Sequence, residues 1–268
     1  MKDDRQTRFP AAHEDLHATR DVPDTPQTQS PAYRLAYDDP DFILQDELRP
    51  VRLQLELLKP ELALDAHGID STVVFFGGSR IPASEHCGKP GCAGLDELSC
   101  YYEEARKLAY MITRDSLADG NGKNTVVTGG GPGVMEAGNR GASEAGGKTV
   151  GLNIVLPHEQ MPNQFISPEL CFNFHYFAIR KMHFLMRAKA LVVFPGGFGT
   201  MDELFETLTL IQTKRMAPIP ILLFGREFWE EIINWKALAR IGTISPEDLE
   251  LFSFVETSEE ALALIKEA

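Results

Sequence analysis

The chain has 268 residues, 43% hydrophobic and 24% charged, which is enough apolar content to bury the core of one sizeable α/β domain with an appendage. A formal net charge of −13 and a pI of about 5.0 argue against a nucleic-acid partner, because such proteins present a basic face; a small anionic ligand is not excluded. No apolar run approaches the roughly 20 residues that span a bilayer, and the N-terminal MKDDRQTRFP lacks the apolar stretch of a signal peptide, so a cytoplasmic location without a membrane partner is expected.

In chain order, residues 1–36 are rich in Pro, Thr, Gln, Asp and His, a composition that cannot offset its own ordering entropy, and predict a disordered tail. Much of the negative excess lies near here, with eleven acids against five bases in the first 48 residues. Residues 37–70 predict a helical N-terminal extension: Phe42, Ile43, Leu44, Leu48, Val51, Leu55, Leu58 and Leu62 recur at helical spacing, and Pro50 and Pro60 are expected to divide it into two short helices. The domain proper, 71–268, opens on the apolar run Thr72 to Phe76. Further strands are predicted at Thr125 to Thr128, Thr149 to Val155, Ala190 to Phe194, Ile219 to Phe224 and Phe252 to Val255. Helices are predicted from near Leu95, Gly133, Tyr176, Thr200, Glu227 and Ser258. Continuous apolar strands alternating with helices predict an α/β fold: a Rossmann-like, doubly wound, mainly parallel sheet with helices on both faces.

Four cysteines, Cys87, Cys92, Cys100 and Cys171, are too few and too unevenly spaced for a disulfide scaffold. The cluster HCGKPGC, with His86, Cys87 and Cys92, lacks CxxC spacing and a second ligand pair, so a surface loop is expected there and no metal site. Three glycine-rich turns fall at predicted strand ends: GGSR at 77–80, GGGPG at 129–133 and PGGFGT at 195–200. In doubly wound sheets ligands bind beyond the carboxyl ends of the strands, so the three turns predict a shared crevice for a phosphate-bearing ligand. Neither GxGxxG nor a Walker loop is present; Gly146-Gly147-Lys148-Thr149 resembles the end of one but leads into a strand and reads as a helix C-cap.

Thr200 and Glu203 admit two readings. One is a capping box, Thr200 as N-cap with Glu203 reaching back to it. The other is a reaction centre, favoured by Arg180 fifteen residues before Pro195 on a predicted helix, Tyr176 to Lys189, that feeds the strand carrying PGGFGT. His175 and His183 have no partners visible in the sequence, and a structural or surface role is expected for both.

GGGPGVMEA at 129–137, RK at 180–181 and PGGFGTMDE at 195–203 together resemble the LOG family, long labelled "lysine decarboxylase-like", whose members are cytokinin riboside 5′-monophosphate phosphoribohydrolases. The resemblance runs from about Val73 to Phe224 and meets the pattern PGGxGTxxE in full. It implies hydrolysis of the N-glycosidic bond of a nucleoside 5′-monophosphate to free base and ribose 5-phosphate, with Arg180 and Glu203 as the catalytic pair. The residues expected to bind substrate and phosphate are Gly78, Ser79, Gly130, Gly131, Gly133, Lys181, Gly196, Gly197, Gly199, Thr200 and Thr209. No cofactor is expected, and the resemblance implies a homodimer or higher homo-oligomer. The long region before Thr72 and the insertion from Ile81 to Gly94 resemble longer bacterial members and leave the base open, AMP included. Glu136 and Asp202 are the candidates for protonating the leaving base, and Pro157 to Phe165 is a candidate lining for the base pocket. A pyridoxal-phosphate decarboxylase is disfavoured, because no lysine has the context of a Schiff base. A nucleotide sensor or carrier on the same scaffold is the competing reading, and it would have no need of Glu203.

Overall fold

The computed structural model describes residues 9–87, 94–120, 123–157 and 161–267. The chain divides into two compact units, Met1–Leu55 and Glu56–Ala268. In the first, the segment expected to be a disordered tail holds helix α1 (Ala12–Ala18), and none of residues 9–36 is buried. A second helix, α2 (Pro40–Ile43), starts on Pro40 with the Asp39 carboxylate accepting from the Asp41 and Phe42 amides, the usual combination of a short polar cap and proline in the first turn. The helix α3 (Arg49–Ala66) runs through the boundary between the units.

The second unit contains a seven-stranded sheet built from β1 (Thr72–Phe76), β2 (Thr125–Thr128), β3 (Thr149–Ile154), β4 (Cys171–Phe174), β5 (Ala188–Val193), β6 (Ile221–Phe224) and β7 (Ser253–Val255). Every pairing is parallel, and the order is β4-β3-β2-β1-β5-β6-β7. The helices are α4 (Ser99–Ala118), α5 (Val134–Glu144), α6 (Phe177–Met186), α7 (Phe198–Gln212), α8 (Arg226–Ile232), α9 (Trp235–Ile241) and α10 (Ser258–Glu267). All five residues of β1 are buried, as a strand covered on both faces requires. Alternation divides them: Val73 and Phe75 pack with Leu108, Val134 and Ala261 of α4, α5 and α10, and Val74 and Phe76 pack with Leu64, Phe184 and Leu204 of α3, α6 and α7. This is the doubly wound α/β architecture that the sequence predicts.

Four local expectations differ from what is observed. The strand β4 was not anticipated: it is an edge strand with buried Phe172 and Phe174 alternating with less buried Cys171 and Asn173, so it lacks the continuous apolar run that marks the strands covered on both faces. The helix α9 was not anticipated either. The helix α6 ends at Met186, not Lys189, because Arg187 leaves helical geometry and pairs with Glu61 at 2.9 Å and Asp65 at 2.7 Å of α3. Pro60 does not divide α3, but lies buried inside it. Its missing N–H would have served the Glu56 carbonyl four residues back, and that carbonyl accepts instead from His183 Nε2 at 3.2 Å. The bond assigns the His183 proton to Nε2, and burial holds the ring's pKa below its ordinary value, so His183 is a neutral structural residue.

Candidate active site

Strand order reverses between β1 and β5, and at such a switch point the connections leave the sheet on opposite faces and open a crevice. Here the turn after β1 and the turn after β5 are stitched together: the Gly78 amide donates to the Pro195 carbonyl at 2.9 Å, and the Gly78 carbonyl accepts from the Val134 amide at 3.2 Å. All three glycine turns therefore meet. Gly133 makes the meeting possible, with φ at +69° and the position of a Cβ only 2.3 Å from the Gly78 carbonyl oxygen. The crevice is a cavity of about 760 Å³ lined by Gly77–Ile81, Gly129, Gly131, Asn153, Arg180, Pro195–Thr200, Asp202 and Glu203, among others.

The start of α7 decides between the two readings of Thr200 and Glu203. Its N-cap is Gly197, without a side-chain cap, and Phe198 is the first helical residue. The capping box is therefore overturned: Thr200 lies inside the helix, its amide and that of Met201 both donating to the Gly197 carbonyl at 3.0 Å. Starting three residues earlier leaves the Gly197, Phe198 and Gly199 amides at the cavity wall with no acceptor among the described residues, which together with the helix dipole is an anion cradle. Nothing lies within 4 Å of a Cβ placed on Gly197 or Gly199, so at these two positions the open space belongs to the cavity.

Glu203 is 8% exposed. Burial raises its carboxyl above the ordinary 4.5 to about 7, although Lys181 and Arg180 pull it down, with Glu206 and Asp202 adding to the rise. At neutral pH it therefore exchanges its proton readily, as an acid–base group requires. Arg180 reaches the same cavity from α6. Its Nε donates to the Leu152 carbonyl of β3 at 2.7 Å and its guanidinium lies 5.0 Å from the centre of the Phe184 ring. Gly129 leaves room for it, since a Cβ there would stand 2.7 Å from Arg180 Nη2. Burial lowers the Arg180 pKa while the Glu203 charge raises it, and Arg180 makes no salt bridge among the described residues.

Of the other expected binding residues, Gly78, Ser79, Gly131, Gly196, Gly197, Gly199 and Thr200 line the cavity, and Gly130, Gly133, Lys181 and Thr209 are absent from its described wall. Gly130 donates to Thr128 Oγ1 at 3.0 Å and is held by Asn163, whose amide donates to the Gly130 carbonyl at 2.9 Å. Lys181, one position after Arg180 and so about 100° around the helix, turns to α7 and pairs with Asp202 at 2.8 Å, Glu206 at 2.7 Å and Glu203 at 3.9 Å. Its pKa is raised, the bonds to the two outer carboxylates outweighing burial. Thr209 is exposed and its hydroxyl donates to the Phe205 carbonyl at 2.7 Å; nine residues beyond Thr200 it lies about 14 Å along the helix axis. Asp202 lines the cavity, whereas Glu136 accepts from the Tyr102 hydroxyl at 2.8 Å and is absent from the described wall. Within Pro157 to Phe165, Pro162 reaches the wall, Asn163 braces the Gly130 turn, and residues 158–160, like Cys92, lie outside the described residues. Asn153, Cys171, Asn173 and Phe177 also line the cavity and were missed; the last three belong to or follow the unanticipated β4.

Residues 135–265 match the sequence family described as "Possible lysine decarboxylase". The chain is 28% identical over 120 residues to a probable cytokinin riboside 5′-monophosphate phosphoribohydrolase of Oryza sativa subsp. japonica, a match covering 43% of this chain and 48% of that one; the chain thus matches about half the length of this curated relative. Similar solved structures include an X-ray structure from a structural-genomics consortium, at 22% identity and TM-score 0.49, covering 74% of this chain and 99% of that one. Another is a molybdenum cofactor carrier protein of Chlamydomonas reinhardtii, at 19% identity and TM-score 0.49, covering 74% and 97%. No helix among the described residues is long and apolar enough to cross a membrane.

Proposed function

As the chain belongs to the LOG family, we propose that it is a nucleoside 5′-monophosphate phosphoribohydrolase, splitting AMP or a cytokinin riboside 5′-monophosphate into free base and ribose 5-phosphate. The observation that carries this reading is the carboxyl of Glu203, buried and raised to about 7, on the same cavity wall as Arg180 and the α7 anion cradle. In the reaction the bond between base and anomeric carbon breaks, water supplies a hydroxyl to that carbon, and a proton leaves with the base. The transition state resembles an oxocarbenium ion, so ionised Glu203 stabilises the positive charge or takes the proton of the attacking water. Arg180, anchored on Leu152, favours the ionised form of Glu203 by its charge and holds the ribose hydroxyls. Phosphate on the Gly197 to Gly199 amides supplies binding energy remote from the reacting bond. Asp202 is the carboxylate at the wall available to the leaving base, although Lys181 engages it in the free protein.

A decarboxylase using pyridoxal phosphate fits these residues poorly. A Schiff base needs an amine in the cavity; no lysine is among the described residues that line it, and Lys181 beside it is held by carboxylates. A nucleotide carrier would use the cradle but leaves a buried, proton-exchanging carboxyl without a task. Incubating the purified protein with AMP and with isopentenyl-AMP, without added metal or cofactor, is expected to release the base and ribose 5-phosphate. Both nucleotides remaining intact from pH 5 to 9 would sink the hydrolase reading.

A further inference from the structure

Arg180 is the fourth residue of α6, in the turn where a helix frays unless its leading amides find acceptors. The N-cap, Tyr176, provides no side-chain cap. The chain is held instead where it enters the helix, from α3: the Glu56 carboxylate takes the amide of His175, just before the N-cap, at 2.8 Å on Oε1 and the N-cap Tyr176 amide at 3.0 Å on Oε2. The backbone of the same residue acts further along α6, because Pro60 frees the Glu56 carbonyl and His183 donates to it at 3.2 Å. Glu56 thus grips α6 before and after Arg180. Tyr176 is the link to Arg180, since its carbonyl accepts the Arg180 amide at 3.2 Å. The guanidinium is fixed separately on Leu152.

We propose that Glu56 is a positioning residue for Arg180: its carboxylate sets the first turn of α6, and through it the placement of the guanidinium in the cavity. The inference rests on the reading of Arg180 as a group that touches the nucleotide. A carboxylate suits the task because it offers two acceptor oxygens and its charge is favoured at a helix N-terminus. Glutamine keeps one acceptor and turns an NH₂ towards the second amide.

The test is a double-mutant cycle of Glu56→Ala and Arg180→Ala, read in kcat and KM for AMP and, by calorimetry, in the Kd for AMP, with inorganic phosphate as competitive inhibitor. Displacing a catalytic group by about 1 Å costs on the order of 10²-fold, so Glu56→Ala is expected to lower kcat some 10- to 100-fold, and Glu56→Gln less. Phosphate inhibition should be unchanged, because the cradle is on α7. In the Arg180→Ala background, Glu56→Ala should cost nothing further. The same fold-loss in both backgrounds, or phosphate inhibition weakening in step with kcat, would overturn the proposal, since either marks a general loosening of the domain. If Glu56→Ala does not fold, the cycle is run with Glu56→Gln. A wild-type protein that binds AMP without cleaving it defeats the hydrolase reading and leaves the cycle to be decided in Kd; one that neither binds nor cleaves it overturns both.

Discussion

Replacing Glu203 by Gln should stabilise the protein at alkaline pH while abolishing turnover. In the folded chain burial raises this carboxyl from 4.5 to about 7, a rise of about 2.5 pH units. Unfolding returns it to its ordinary value, so the unfolded chain releases its proton first as pH rises. Stability contributed by the neutral carboxyl is complete below about pH 4.5 and is lost on the way to pH 7, by about 3 kcal/mol at ~1.4 kcal/mol per unit. About 2.5 kcal/mol of this falls between pH 5 and pH 8 by the same linkage. Glutamine does not ionise, so the variant escapes the loss. For a domain of this size 1 kcal/mol moves Tm by roughly 2–4 °C, so the Tm difference between variant and wild type should grow by roughly 5–10 °C from pH 5 to pH 8. Thermal unfolding of both proteins at the two pH values measures it. An unchanged difference would refute the argument that Glu203 is held in its protonated form by burial.

Three further outcomes are expected. Arg180→Lys should lose at least tenfold in kcat/KM for AMP despite keeping the charge, because an ammonium cannot both satisfy the Leu152 carbonyl and present a planar fork to the ribose; steady-state kinetics decide this. Gly199→Ala, with no atom within 4 Å of the new methyl, should leave Tm almost unchanged and raise KM for AMP, whereas Gly133→Ala, at φ +69° and 2.3 Å from the Gly78 oxygen, should lower Tm by several degrees, both read from melting curves beside kinetics. Lys181→Met removes the largest influence holding the Glu203 pKa down, so the acidic limb of kcat/KM against pH, expected near 7 in the wild type, should move to higher pH; a limb that stays in place would count against Glu203 as its source.

The sheet was legible because burial on both faces writes itself as continuous apolar runs: β1 and β2 fall at the predicted residues, and the three glycine turns do meet. Features that depend on tertiary partners were not legible. Pro60 reads as a helix break until His183 is seen to satisfy the freed Glu56 carbonyl. A capping box at Thr200 and Glu203 stays open beside the reaction-centre reading until Gly197 is seen to start the helix. The edge strand β4, with only alternate residues buried, carries a weaker pattern than its neighbours, and the cavity residues Cys171 and Asn173 were lost with it. Thr209 and Lys181 were expected at the ligand from the family resemblance, which gives no side-chain direction, and neither is on the described cavity wall.

The divergence of Arg180 and Lys181 explains how one dipeptide serves one carboxyl twice. Side chains on consecutive helical residues point about 100° apart, so only one of the pair can face the crevice between α6 and the sheet. Arg180 does, and its contact with Leu152 keeps it there. Lys181 passes instead to the outer side of Glu203, 3.9 Å away, where Asp202 and Glu206 compete for it. A lysine free of those two carboxylates would pair with Glu203 and drive its pKa towards the ordinary range, leaving it a weak base near neutral pH. By sharing the cation among three carboxylates, α7 keeps Glu203 close to pH 7, where ionised and protonated forms are both populated. The outer carboxylates are therefore part of the tuning of Glu203, although neither is as deeply buried.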